Sequence, residues 1–180
     1  MCIRDRGDPL LLLAASGVAE ELGDRYRTET HPKALGDTRA LAAALPGIIA
    51  GHHWNNVLVA SGSDDIRLVD GKPAISIAEF ETNLEKSLSI LKKAADKVYW
   101  ASIVPMPGEG GNAAREEQLA ADYNAAAERV CRKLEVYSVN LGQILEQAAP
   151  GYTKRPGRKF TPNEAKEAGK KIASALKFLG

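Results

Sequence analysis

Cysteine is almost missing from this chain: Cys2 and Cys131 are the only two in 180 residues. Two thiols build neither a disulfide framework nor a cysteine-based metal cluster. Cys131 falls in a helical stretch and is expected to be a small core residue. Long apolar runs are missing too. The run over residues 10–15 falls far short of the roughly 20 residues a membrane-crossing helix needs, so no membrane segment is expected. Excess charge is also absent. A formal net charge of +1 gives no reason to expect nucleic acid or an anionic membrane as partner. There is no internal repeat, linker or low-complexity segment. What remains is a chain with 44% apolar residues, enough for one core in one soluble domain.

The N-terminus stands apart. Met1-Cys2-Ile3-Arg4-Asp5-Arg6 resembles a translated sequencing adapter. Residues 1–6 are therefore expected to be a non-native scar, and residues 7–180 a single domain whose first strand is truncated or replaced.

The chain is organised around Asn56-Val-Leu-Val-Ala-Ser-Gly-Ser-Asp-Asp65. Val57 to Ala60 is apolar without alternation, which suits a strand buried on both faces at the centre of a parallel sheet. Ligands of such sheets bind beyond the strand C-termini, where Ser61 to Asp65 would lie. Around it, spacing predicts a helix over residues 10–22 and a short edge strand over 26–30. A helix capped by Asp37 or Thr38 should stop at Pro46-Gly47. A loop at 70–73 leads to a Ser76-capped helix over 77–95. A strand over 98–104, a helix over 113–134, a strand over 136–139, a short helix near 143–148 and a last helix from Thr161 complete the chain. Strands alternating with helices imply an α/β fold: a three-layer α/β/α sandwich around a parallel, flavodoxin-like sheet.

Four short segments resemble the SGNH/GDSL hydrolase family of esterases, thioesterases and carbohydrate deacetylases. Gly7-Asp8-Pro9 stands where the family has Gly-Asp-Ser. Leu35-Gly36-Asp37-Thr38 is similar to its second block, and Gly62-Ser63-Asp64-Asp65 to its Gly-x-Asn-Asp. Pro156-Gly157-Arg158-Lys159-Phe160-Thr161-Pro162 is similar to Asp-x-x-His-Phe-Thr-Pro. Pro105 and Tyr123-Asn124 also fit. The resemblance runs from Gly7 to the end and implies the SGNH hydrolase fold. It would put Pro9 at the nucleophile, Gly36 and Asp64 at the oxyanion donors, Pro156 at the orienting acid and Lys159 at the base.

These residues cannot run the family's reaction. Acyl transfer needs a nucleophile activated by a base, and Pro9 has no hydroxyl. Lys159 is protonated at neutral pH. Asp64 would set a carboxylate where an amide N–H should face developing negative charge. Only Gly36 keeps its family residue. In a related triad, loss of the Ser or His alone costs about 10⁶-fold in turnover.

Other residues offer themselves as replacements. Ser61 or Ser63 with His31 would make a displaced pair, but loop serines commonly shape turns. His52 and His53 precede the central strand and belong at its opposite edge. Asp64, Asp65, Asp8 and Asp37 could gather around Mg²⁺ or Ca²⁺; for Asp37 and Asp65, accepting backbone N–H bonds is the better reading. The basic loop over 154–159 invites a Lys159–Asp64 ion pair. Trp54 and Trp100 are candidates for a sugar platform, with Trp100 expected in the core. No cofactor and no metal are implied. The expected function is a hydrolase-like domain holding a small ester or glycan in a degenerate cleft, or packing against a partner, without Ser-His-Asp ester hydrolysis. The alternatives are an active acylesterase or deacetylase using displaced residues, and a defective gene copy or a sequence carrying errors near its ends.

Overall fold

The computed structural model describes residues 2–4, 10–25, 27–29, 35–105, 113–152 and 160–179. The elements run β1 (Cys2–Arg4), α1 (Leu10–Leu22), a 3₁₀ turn (Gly23–Arg25), α2 (Thr38–Ile49), β2 (Trp54–Ala60), β3 (Leu68–Val69) and β4 (Lys72–Pro73). They continue through α3 (Ile77–Leu91), β5 (Ala95–Ala101), α4 (Ala113–Leu134), β6 (Tyr137–Val139), α5 (Leu141–Ala148) and α6 (Pro162–Leu179). Four strands form one parallel sheet in the order β1-β2-β5-β6.

The unalternating run of β2 has the expected consequence. Val57 and Val59 face one layer, with Leu41 and Leu45 of α2, Phe80 and Leu84 of α3 and Tyr123 of α4. Leu58 and Ala60 face the other, with Val18 of α1, Leu145 of α5 and Ile172 of α6. Each buried Val or Leu removes enough apolar surface to contribute about 1.5–3 kcal/mol. The three-layer α/β/α expectation therefore holds. Trp100 (0% exposed) is core, as expected, and so is Cys131 (2%), whose thiol burial pushes up to about 12.

Several local expectations fail for identifiable reasons. Residues 27–29 carry no regular structure; side chains tie this segment down instead, Trp54 Nε1 donating to Glu29 Oε2 at 3.1 Å. Helix α2 does not stop at Pro46-Gly47. Exposed Pro46 gives up one N–H while Ile49, three residues on, still packs on the core. The chain leaves the helix at Gly51, with φ +72°. Helix α3 ends at Leu91, because Ala95 already pairs with Trp54 in the sheet. Strand β5 ends at Ala101 rather than residue 104. Asn124 takes both backbone groups of Ile103, accepting its N–H at 2.7 Å and donating to its carbonyl at 2.9 Å, so the ladder cannot continue. Residues 70–73 are not a plain loop but part of a hairpin. Asp70 (φ +50°) and Gly71 (φ +77°) are both left-handed, as a two-residue turn matching the strand twist requires. The N-terminal segment Cys2–Arg4 is seated in the sheet, parallel to Leu58–Ala60.

Helices α1 and α6 cross at two glycines. A Cβ at Gly17 would lie 1.9 Å from the Lys166 carbonyl oxygen, and one at Gly169 would lie 2.0 Å from that of Ala14. Glu20 binds Lys166 at 2.6 Å and Lys170 at 3.1 Å beside the crossing. These contacts with Lys166 and Lys170 hold its carboxyl below the usual range.

Candidate functional site at the strand C-termini

The loop after β2 is where a parallel sheet offers a site. It turns at once: Asp65 and Ile66 both donate their N–H to the Gly62 carbonyl, at 3.1 and 3.2 Å. Gly62 has φ +119°, and a Cβ there would lie 2.4 Å from Ile103 Cδ1 and 3.1 Å from Phe80 Cε2. A Gly62→Ala variant is therefore expected to lose about 1–3 kcal/mol of stability, read from its urea midpoint; an unchanged midpoint would contradict this placement.

Asp65 joins two of the family-like blocks. It is 0% exposed. Its Oδ2 accepts the Thr38 N–H at 3.0 Å and its Oδ1 the Thr38 hydroxyl at 2.5 Å. The segment carrying Gly36 is thereby tied to the segment carrying Asp64. Burial raises the Asp65 carboxyl to about 6, against the two Thr38 donors, which lower it; nearby Asp37 adds to the rise. The Asp65 carbonyl accepts from the Ile75 N–H at 3.2 Å, and the Tyr123 hydroxyl donates to the Ile75 carbonyl. Burial, and secondarily the Asp65 charge, push the Tyr123 phenol up to about 12.

Gly36 has φ +78°. Asp37 next to it caps α2, accepting from the N–H groups of Arg39 (3.0 Å) and Ala40 (3.1 Å). Its pairing with Arg39 at 2.8 Å holds its carboxyl below the usual carboxylate range. Asp37 and Asp65 thus do the loop-tying work expected of them. Asp64 and Ser63 are half-buried on the same turn. Ser61 is 3% exposed, and its Oγ has no hydrogen-bond partner among the described residues.

Of the five family-equivalent positions, Gly36 and Asp64 are among the described residues; Pro9, Pro156 and Lys159 lie outside them, as do Asp8 and His31. The expected Lys159–Asp64 pair lies outside with them. His52 and His53 sit at the opposite edge, as expected: His53 Nε2 is 2.8 Å from Asp96 Oδ1 at the start of β5. His52 stacks on Trp54 with ring centroids 5.4 Å apart, and Trp54 begins β2, at the end of the strand opposite Asp64. Among the described residues no three His, Cys, Asp or Glu side chains gather to hold a metal, and no helix is long and apolar enough to cross a membrane.

Asn83 is a member of the site that the sequence does not mark. Its Nδ2 donates to Thr38 Oγ1 at 3.4 Å, extending the Asp65–Thr38 tie to α3. Its only sequence signal is a polar residue next to Leu84 on the inner edge of an amphipathic helix. A groove of about 330 Å³ flanks the site at the ends of β5 and β6, lined by Ser102, Ile103, Glu117, Ala121, Asn124 and Asn140, among others. Ile103 lines this groove and also packs on Gly62.

Known structures resemble the whole molecule. An aryl esterase of M. smegmatis, solved with an inhibitor bound, superposes with a TM-score of 0.68 at 16% identity, covering 99% of this chain and 98% of its own. LAE5, an α/β hydrolase from the metagenome of Lake Arreo, gives 0.67 at 15% identity over 97% and 91%. A protein from Parabacteroides merdae described as a GDSL-like lipase gives 0.70 at 12% identity over 96% and 84%. The fold is that of the SGNH/GDSL hydrolases. No family model and no curated protein matches the sequence.

Proposed function

We propose that this hydrolase-like domain binds a small ester or glycan in the crevice beside Gly36 and Asp64 without carrying out Ser-His-Asp ester hydrolysis. The observation that carries the reading is Asp64. Its carboxylate belongs to the turn at the end of the central strand, where the family resemblance calls for an amide donor. A carboxylate there repels the negative charge that an acyl-transfer intermediate develops, whereas loss of a single donor already costs about 10²–10³-fold. The neighbouring Ser61 hydroxyl is buried, so it is poorly placed to meet an ester.

The competing reading is an ester hydrolase using displaced residues, for which half-buried Ser63 is the accessible hydroxyl on this turn. Hydrolysis of p-nitrophenyl acetate separates the two. The expected rate equals that of buffer with heat-inactivated protein, and is unchanged in Ser61→Ala and Ser63→Ala. Turnover above that background, lost in either serine variant, would overturn the proposal.

A further inference from the structure

Asp65 in the loop after β2, Thr38 on α2 and Asn83 on α3 form one chain of hydrogen bonds. Asn83 donates to Thr38 Oγ1, and the Thr38 hydroxyl and N–H donate to the two Asp65 oxygens. Thr38 and Asp65 are 0% exposed, so each must keep its partners within the protein. The charged groups around Asp65 do not neutralise it. On α2, Arg39 feels the Asp65 charge only after those of Asp37 and Glu79; it is bonded to Asp37 and lies 3.8 Å from Glu79. Asp37 is a like charge, Asp64 is the neighbour in sequence, and Tyr123 on α4 is a neutral phenol. No described lysine or arginine forms an ion pair with Asp65.

The chain can run in either direction. A protonated Asp65 donates its O–H to Thr38 Oγ1. The Thr38 hydroxyl hydrogen then needs another acceptor, and a half-turn of the Asn83 amide supplies Oδ1 in place of Nδ2. In this reversed arrangement Thr38 and Asp65 would both keep hydrogen-bond partners, and the proton would come from solvent.

We propose that this chain is a proton-operated latch: proton uptake by Asp65 reverses the bonds and closes the crevice turn onto α2 and α3. The sign follows from linkage. A carboxyl more basic when enclosed than when exposed favours the enclosed state as protons are added. Near pH 5 the latch holds the Gly36 and Asp64 segments together firmly; above neutral pH the buried charge strains it open. This regulation rests on the crevice being the ligand site, but the latch can be read without any ligand, so the two ideas fail separately.

The test is amide exchange of Thr38 by NMR, corrected for intrinsic exchange, together with the Asn83 side-chain amide shifts. The Thr38 protection factor is expected to rise about 30-fold from pH 8 to pH 4.5, following the raised carboxyl of Asp65. The Asn83 resonances should titrate with the same midpoint. Asp65→Asn, which mimics the protonated acid, should hold protection at the acid value throughout. Protection independent of pH in the unsubstituted protein, or an Asn83 amide that does not titrate, would overturn the latch. If Asp65→Asn fails to fold, Thr38→Val replaces it; losing the hydroxyl that stabilises the carboxylate, it should shift the Asp65 midpoint upward, and an unmoved midpoint would contradict the chain.

Discussion

A Gly169→Ala variant unfolds at lower urea than the parent, with a loss of about 3 kcal/mol. The added methyl group has nowhere to go. Its carbon would lie 2.0 Å from the Ala14 carbonyl oxygen, 2.8 Å from the Val18 nitrogen and 2.9 Å from the Gly17 Cα. All three are backbone atoms of α1, so no side chain can swing aside. The helices must separate, and the contacts of Ala14 and Val18 with Ala168 and Ile172 loosen together. Overpacking of this kind costs about 1–3 kcal/mol or more. Gly17→Ala meets the same obstacle from the other side, and the double variant should lose less than the sum, because one separation relieves both clashes. Gly47→Ala is the contrast. It lies inside α2 with nothing within 4 Å of its Cβ position, so the better helix propensity of alanine should stabilise by about 0.5–1 kcal/mol. Parent-like stability of Gly169→Ala would show that the helices do not cross this closely.

The second large effect concerns pH. The enclosed Asp65 carboxyl, at about 6 against an ordinary 3.8, binds its proton more tightly in the folded protein than in the unfolded chain. Stability should therefore rise as pH falls from 8 through 6 and level off near 4, by about 3 kcal/mol at most on the linkage between pKa shift and free energy. The other shifted carboxyls do not mask this window. Glu20, Glu29, Asp37 and Asp96 are all lowered. Their contribution is present above their ordinary values, 4.5 for Glu and 3.8 for Asp, and is lost as pH falls below those values. Urea midpoints between pH 8 and pH 4.5 measure the rise. Asp65→Asn should flatten it, with a neutral-pH stability at or above that of the parent. A parent whose stability falls over the same interval would contradict the uncompensated burial of Asp65.

The fold is legible where the sequence signal is local. The run Val57 to Ala60 announces a strand covered on both faces, and the apolar spacing of α1 and α4 announces those helices to the residue. Boundaries escape where a distant partner decides them. Nothing in residues 98–104 says that Asn124 will take the backbone of Ile103, and nothing near Pro46 says that Ile49 will find the core. The candidate site is half legible for the same reason. The motif-like blocks around Gly36 and Asp64 can be quoted from the sequence, but not the bond that joins them. Thr38 and Asp65 are 27 residues apart, and Thr38 reads only as a helix cap. The burial of Ser61 is equally hidden, since a serine after a strand looks like any turn former until its surroundings are known.

On the proposed function, this hydrolase fold presents no activated serine. Intact-mass measurement after incubation with a fluorophosphonate tests it without choosing a substrate. An unchanged mass at neutral pH is expected. A gain of one phosphonyl group, mapped to Ser61, Ser63 or any other serine beside Asp64, would contradict it.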